Sequence, residues 1–209
     1  MLLFLPGLIC DARIYAPQLA AFPDSRAIDG YGRANTLEAM ARVALEVFRL
    51  APARVRRFAV SSTGVHALGV AEPAKRRALQ AIGHEQGFEA LVDAWLPPMV
   101  AEHNRDKAIY RDMRRMCLDA GQDVFDAQIE ALLGRPEQES LLAEITCPTL
   151  VMTGALDAWS PPAQHEAIAA RIADSSLVIV PDAGHMLPLE APDAVNQAIA
   201  AWLSRPAND

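Results

Sequence analysis

The chain has 209 residues, 52% of them hydrophobic, and a formal net charge of -7. This hydrophobic fraction excludes a disordered chain, and the length suffices for one domain with a substantial core. The acidic balance argues against nucleic-acid binding, because phosphate contacts need clustered Lys and Arg. No apolar stretch approaches the ~20 residues of a membrane helix. We therefore expect a cytoplasmic protein with neither a nucleic-acid nor a membrane partner.

Cysteine and histidine spacing predicts neither disulfides nor metal binding. Cys10, Cys117 and Cys147 are odd in number and widely separated, which is typical of free thiols in a reducing compartment. The histidines outside the candidate site share no ligand spacing, so we expect no metal. The dinucleotide-binding glycine pattern is also absent, and we expect no cofactor.

The first sixty residues alternate between strand and helix patterns. An apolar run ends at Pro6-Gly7, and Asn35 with Glu38 resembles a capping box at the start of a long amphipathic helix. In chain order, we predict a strand at 2–5, a helix at 12–21, a strand at 26–28, a helix at 36–50 and a strand at 55–60.

The character of the sequence changes between residues 72 and 144, where only helix patterns occur. Pro73 marks a helix start, Gly87 and Gly134 mark helix ends, and Asn104 could cap a further helix. Such an all-helical stretch inside an α/β chain is typical of a lid. The α/β pattern then resumes with a strand at 149–152, a helix at 163–172, a strand at 177–180 and a helix at 194–203.

Short loops between alternating strands and helices imply parallel strands with right-handed crossovers. We therefore predict an α/β fold in which helices flank a mostly parallel central sheet. The predicted organisation is a single domain over residues 1–209, with a helical cap inserted at about 72–144.

Two loops after neighbouring strands carry residues whose side chains can take part in catalysis. Asp157 follows the strand at 149–152, and His185 follows the strand at 177–180. In parallel sheets ligands bind beyond the carboxyl ends of the strands. Asp157 alone could equally be a turn or cap residue, and His185 alone a loop residue. Together they predict an acid–histidine pair, with Asp157 orienting the imidazole and His185 acting as general base and acid.

These residues make the chain similar to the α/β-hydrolase fold family, of the small esterase and acyl-hydrolase type. Phe4 to Leu8 resembles the oxyanion-loop strand, Thr153 to Asp157 the acid loop, and Gly184-His185 with Glu190 the terminal histidine loop. The resemblance implies that a main-chain N–H just after Gly7 stabilises an oxyanion; Leu8 is the matching position, and Ile9 is the second candidate. A small apolar or acyl substrate is the implied partner, and the candidate substrate-binding residues are Gly7, Ile9, Trp95, Met99, Trp159 and Met186.

The chain departs from this family at the nucleophile. No serine lies in the G-x-S-x-G elbow that the family requires, and no Cys or Asp replaces it. An internal deletion near Arg42-Val43 would remove the elbow together with one central strand of the sheet. Ser62, at the end of a strand, copies half an elbow and is the first substitute candidate. Cys10, beside the oxyanion loop, is a weaker one.

Three functions stay open at this point. The chain is an ester or acyl hydrolase whose activity is weak or lost, a cofactor-free enzyme of the dioxygenase or lyase type that uses the His–Asp pair as a general base, or a binding protein without turnover. The sequence also leaves a homodimer open, as well as the question of whether the reduced sheet closes around the missing strand.

Overall fold

In the computed structural model, which describes residues 2–36, 39–40, 55–66 and 68–207, all strand pairs are parallel. Five short strands are present in the described part of the chain. They are β1 (Leu2–Phe4), β2 (Ser25–Ala27), β3 (Phe58–Ser61), β4 (Thr149–Gly154) and β5 (Ser175–Val180).

Eight α-helices surround these strands in the same described ranges. They are α1 (Ala16–Ala21), α2 (Glu72–Gln86), α3 (Phe88–Trp95), α4 (Ala108–Ala120), α5 (Gln122–Leu133), α6 (Pro162–Ala169), α7 (Leu187–Glu190) and α8 (Pro192–Leu203). Short 3-10 helices lie at Ala12–Tyr15, Pro97–Met99, Glu102–Asn104 and Glu139–Glu144.

The predicted α/β class with parallel strands and flanking helices is confirmed. Gly87 and Gly134 end helices as predicted. The predicted cap Asn104 is wrong, because α4 begins after Lys107 and Asn104 closes a 3-10 turn.

The helix predicted at 36–50 lies mostly outside the described residues, as does the proposed junction at Arg42-Val43. At its start the Thr36 hydroxyl accepts a hydrogen bond from the Ala39 N–H at 3.0 Å. The capping side chain is therefore Thr36, one residue after the predicted Asn35.

The strands form two separate pieces among the described residues. One piece has the order β3-β4-β5, and the other is the pair β1-β2. Side chains join them, because Phe4 of β1 packs in the same buried cluster as Leu150 and Met152 of β4. The side-chain amide of Gln18, on α1, also donates to the Pro188 carbonyl at 3.1 Å.

Residues 72–144, called the helical segment below, have an apolar core that continues towards the sheet. Leu91, Met113 and Phe125 are fully buried in this core. Ile9 from the loop after β1 and Met186 from the loop after β5 belong to the same cluster. The helical segment thus packs against the edge where the parallel strands end.

The described residues contain no group of three or more His, Cys, Asp or Glu side chains arranged to hold a metal ion. Cys10, Cys117 and Cys147 are free thiols. None of the described helices is both long and apolar enough to cross a membrane.

Gly154 sits where β4 approaches the loop that carries His185. A Cβ at this position would overlap the main-chain carbonyl of Ala183. We expect Gly154→Ala to lower the free energy of unfolding by about 1–3 kcal/mol, because backbone atoms must move to relieve the overlap. Urea denaturation measures the change. Gly69→Ala is the control, since a Cβ there meets nothing within 4 Å, and equal losses in both variants would contradict the prediction.

Candidate active site

The pairing of β4 with β5 brings Asp157 and His185 to the same edge of the sheet. The two strands run parallel from Thr149 opposite Ser175 to Gly154 opposite Val180. The loops that follow therefore leave side by side. His185 Nδ1 lies 2.9 Å from Asp157 Oδ2 and 3.1 Å from Oδ1, across 28 positions of sequence.

Asp157 is buried, with 2% of its surface exposed, and is well supplied with hydrogen-bond donors. The main-chain N–H groups of Trp159 and Ser160 donate to Oδ1 at 2.9 and 2.8 Å. Burial alone raises the pKa of Asp157, but the His185 hydrogen bond and these N–H groups outweigh it and lower the pKa below its ordinary value of 3.8. The carboxyl group is therefore an anion at neutral pH.

An ionised Asp157 fixes the tautomer of His185. The carboxylate can only accept, so Nδ1 of the imidazole carries the proton and Nε2 holds the free lone pair. No hydroxyl or thiol of the described residues hydrogen-bonds Nε2. The side chain of His185 is 24% exposed, so a small molecule can reach it.

Glu190 holds the loop around His185 with four hydrogen bonds. Oε1 accepts from the N–H groups of Gly184 and Met186, each at 3.1 Å. Oε2 accepts from the Ala101 N–H at 2.8 Å and the Asn104 side-chain amide at 3.1 Å.

The N–H of His185 itself donates to the Met99 carbonyl at 2.8 Å. Three consecutive N–H groups of the histidine loop, at residues 184–186, thus have fixed partners. The backbone of His185 is held both to Glu190 and to the stretch between α3 and α4.

The loop after β1 forms a tight turn, and its Ile9 belongs to the same buried cluster as Met186. The Cys10 N–H donates to the Gly7 carbonyl at 3.2 Å, which places Leu8 and Ile9 at the two central positions. The Ile9 N–H is occupied by the side-chain oxygen of Gln128 at 2.7 Å. The Leu8 N–H has no hydrogen-bond partner among the described residues. Of the two candidate oxyanion donors, only Leu8 is left free.

The apolar candidates for substrate contact lie in one cluster. Ile9, Trp95, Met99 and Met186 are buried together, and Leu8 and Trp159 pack against them partly exposed. The Trp95 indole N–H is buried without a partner. The Arg76 guanidinium lies 5.1 Å from the ring centre of Trp159, a cation–π contact at the border of this cluster.

The structure does not join Ser62 to the acid–histidine pair by a hydrogen bond. Ser62 follows β3 with φ of 48°, a left-handed conformation, and its hydroxyl oxygen is buried without a partner. The next residue, Thr63, donates its N–H to Nε2 of the buried His165 at 3.1 Å.

Cys10 is also poorly placed for nucleophilic chemistry. Only 6% of its surface is exposed. A hydrogen bond with Cys117 and burial both raise the pKa of the Cys10 thiol well above its ordinary range. A nucleophilic cysteine needs the opposite shift, because the thiolate is the reactive form.

Sequence reasoning missed Gln128 as a partner of the loop after β1. A signal for it exists, since Gln128 shares the buried face of α5 with Phe125 and Ile129. A polar side chain on such a face must find a hydrogen-bond partner. The sequence could not show that the partner would be the N–H of Ile9, 119 positions away.

Comparison with known proteins identifies the relatives of this chain. A family model described as the alpha/beta hydrolase family matches residues 2–198. No curated protein matches the chain.

Solved structures with the same fold include three bacterial enzymes. A thermophilic esterase from Thermogutta terrifontis, with malate bound, is 26% identical with a TM-score of 0.84, over 97% of this chain and 88% of the esterase. An enol-lactonase from Burkholderia xenovorans is 20% identical with a TM-score of 0.83, over 98% and 90% of the two chains. A hydrolase from Pseudomonas aeruginosa is 23% identical with a TM-score of 0.78, over 98% and 90%.

The lowered pKa of Asp157 predicts a pH-dependent contribution to stability. Because the folded-state pKa lies below 3.8, the ionised carboxylate stabilises the fold above that pH, and the contribution is lost as the pH falls through the folded-state value. We expect Asp157→Asn to cost about 1–3 kcal/mol at pH 7 and progressively less below pH 3.8. Urea denaturation across this range measures it. Asp182→Asn, an exposed change in the histidine loop, is the control. A cost for Asp157→Asn that does not vary with pH would contradict the prediction.

Removal of the negative charge of Glu190 should loosen the histidine loop. In Glu190→Gln one arm becomes an NH2 group that faces two donors, so two hydrogen bonds are lost. We expect a loss of about 1–3 kcal/mol in the free energy of unfolding. We also expect faster amide exchange, measured by NMR, at Gly184 and Met186 or else at Ala101, depending on which pair of donors the new NH2 group faces. Glu102→Gln, on an exposed neighbour, controls for general charge effects. Unchanged exchange at all three amides would argue against this role of Glu190.

Proposed function

We propose, from the premise that this chain belongs to the alpha/beta hydrolase family, that it carries the acid–base half of a site for small carboxylic esters or related acyl bonds. The observation that carries the proposal is the 2.9 Å hydrogen bond between His185 Nδ1 and the buried Asp157 carboxylate. Turnover is expected to be weak or absent, because the sequence has no nucleophile elbow.

In this proposal the two residues have different roles. Asp157 keeps the proton on Nδ1 and stabilises the imidazolium that forms when Nε2 accepts a proton. His185 is the general base, and in the reverse direction the general acid. Exposure of 24% of the His185 side chain supports access by a small substrate.

Leu8 and the apolar cluster supply the remaining parts of the proposed site. The Leu8 N–H is the candidate donor to a developing oxyanion, since the Ile9 N–H is already bonded to Gln128. Leu8 and Trp159 are the partly exposed apolar residues that an acyl chain could contact, and the buried Trp95, Met99 and Met186 lie in the cluster behind them. The helical segment, which supplies Trp95 and Met99, is the proposed cap over the site.

The absence of a nucleophile elbow has support in the fold. The described strands fall into two pieces, with β1 and β3 each paired on one side only. The aligned relatives also retain roughly a tenth of their chains without a counterpart here. The unpaired sides of β1 and β3 favour the loss of a strand together with its elbow, and the uncovered tenth of the relatives agrees with a shorter chain.

The substrate class is supported by the 26% identity to the Thermogutta terrifontis esterase. A site without a nucleophile keeps binding, oxyanion stabilisation and His185 as a general base for direct attack by water. In the studied serine proteases, binding and oxyanion stabilisation alone supply roughly 10³–10⁴ over the reaction in water. We therefore expect the chain to bind an ester but to cleave it slowly or not at all.

A second candidate function needs no serine. Nε2 of His185 has no hydroxyl partner among the described residues, so it is free to take a proton directly from a bound substrate. This would be a non-covalent general-base reaction of the cofactor-free dioxygenase or lyase type. This second function predicts a turnover that is retained in Ser62→Ala and lost in His185→Ala.

Hydrolysis of p-nitrophenyl acetate and butyrate tests the proposal. We expect the wild-type rate to lie about three orders of magnitude or more below that of the Thermogutta terrifontis esterase assayed in parallel, because no acyl-enzyme forms. We expect Ser62→Ala to leave the residual rate unchanged and His185→Ala to lower it. Both variants must first show the wild-type thermal transition.

Other outcomes of this assay point elsewhere. A rate close to that of the esterase, abolished by both substitutions, would overturn the loss of the nucleophile and make Ser62 the nucleophile. A residual rate that His185→Ala leaves unchanged would remove the acid–base site from the proposal altogether.

A further inference from the structure

The oxyanion loop contains a residue in an unfavourable backbone conformation. Ile9 has φ of 47° and occupies the third position of the turn from Gly7 to Cys10. A positive φ at this position is normally met by glycine or asparagine. A β-branched side chain in the left-handed region is a genuine outlier, and such residues persist only where their surroundings hold them.

Gln128 is the group that holds Ile9. Its side-chain oxygen accepts the Ile9 N–H at 2.7 Å, and both residues are 1% exposed. Leaving either polar group unpaired in this apolar core is costly, so the bond is strongly favoured once the helical segment is in place. The bond joins α5 of that segment directly to the turn after β1.

Apolar packing also joins this turn to the helical segment, because Ile9 and Cys10 are buried in its core and Cys10 hydrogen-bonds Cys117. Arg13 bonds Asp119 of α4 at 2.6 Å, but both side chains are about half exposed, so the ion pair contributes little. An open cavity of about 240 Å³ lies between the loop and helices α4 and α5, with Cys10, Tyr31 and Val124 in its walls. Packing is therefore incomplete at this cavity, and among the described residues the bond to Gln128 is the one hydrogen bond that the main chain of Ile9 makes.

We infer that Gln128 is a positioning residue that couples the helical segment to the oxyanion loop. With α5 in place, Ile9 is kept left-handed and its N–H is occupied, so Leu8 presents the one free donor of the turn. When α5 moves away, Ile9 loses its partner and relaxes, and the turn that aims the Leu8 N–H opens. The inference rests on the proposed function, in which Leu8 faces the oxyanion.

Amide exchange at Cys10 in the full chain tests this coupling without any need for turnover. The Cys10 N–H closes the turn by bonding Gly7, so its protection reports whether the turn is formed. Gln128→Met keeps the side-chain volume and removes the amide oxygen. We expect it to lower the protection of Cys10 about tenfold, as the loss of one buried hydrogen bond does.

The chain offers a closely matched control for this substitution. Gln80 is also a buried glutamine of the helical segment, at 8% exposure, but it bonds Arg77 and Asp126 instead of the oxyanion loop. Gln80→Met should leave Cys10 protection at the wild-type level. Equal protection of Cys10 in the Gln128 and Gln80 variants would overturn the inference.

A second pair of variants tests the strain itself. Glycine adopts a positive φ without cost, so in an Ile9→Gly background the turn no longer needs Gln128. We expect Gln128→Met to change Cys10 protection less than twofold in that background. A full tenfold loss there would show that Gln128 does not act through Ile9, and would overturn the inference.

The exchange of the Cys10 amide can be measured whether or not the chain cleaves esters, so it tests Gln128 independently of the proposed function. If Gln128→Met does not fold, Gln128→Asn replaces it, because the shorter amide cannot reach Ile9. Should the wild-type chain show no ester turnover even at the residual level, the proposed function loses support, while Cys10 exchange still decides the role of Gln128.

Discussion

The parallel pairing of β4 with β5 is the constraint on which the candidate site depends. β4 is buried along its whole length, and its six residues are in register with β5 from Thr149 to Gly154. A slip by one residue would turn its buried side chains to the opposite face, so the register is strongly specified. Because both strands end together, the loops that carry Asp157 and His185 must start side by side. A 2.9 Å contact between residues 28 positions apart follows from this register.

Register alone does not orient an imidazole, and buried polar side chains complete the arrangement. Glu190 takes four hydrogen bonds, two from the histidine loop and two from the stretch before α4. Gln128 accepts one hydrogen bond, from the Ile9 N–H in the loop after β1. Each satisfies main-chain donors that apolar neighbours would leave unpaired, and a half-satisfied network would cost more than an apolar core. The site is thus held from outside by residues that contact no substrate in the proposed reaction.

The elements that could be predicted from sequence are those set by local pattern. Strand runs, helix-ending glycines and the order of Asp157 and His185 depend on neighbours within a few residues, and these signals led to the correct fold class. Helix starts were less accurate. Asn104 and Lys107 are both compatible with the sequence around α4, and tertiary packing decides between them.

Long-range pairing of polar groups could not be predicted in the same way. Gln128 can be recognised as a buried glutamine from its position on α5, but its partner depends on how the helical segment meets the turn after β1. The left-handed conformation of Ile9 has no signal of its own, because isoleucine is a residue that normally excludes it. Sequence reasoning therefore predicted that Asp157 and His185 lie close together, because a parallel sheet fixes their spacing, and missed the hydrogen bond between Gln128 and the loop after β1.

The division of the strands into two pieces has a consequence for how accurately the halves of the site face each other. His185 belongs to the β3-β4-β5 piece, whereas Leu8 follows β1, and no strand hydrogen bonds join the two pieces among the described residues. Their relative position is set by the packing of Phe4, by the Gln18 bond to Pro188 and by the bond between Ile9 and Gln128. Side-chain packing is less directional than a strand ladder. A sheet divided in this way can preserve the contact between Asp157 and His185 while the distance from His185 Nε2 to the Leu8 N–H, the proposed oxyanion donor, varies. An acyl-transfer reaction requires that distance to be fixed.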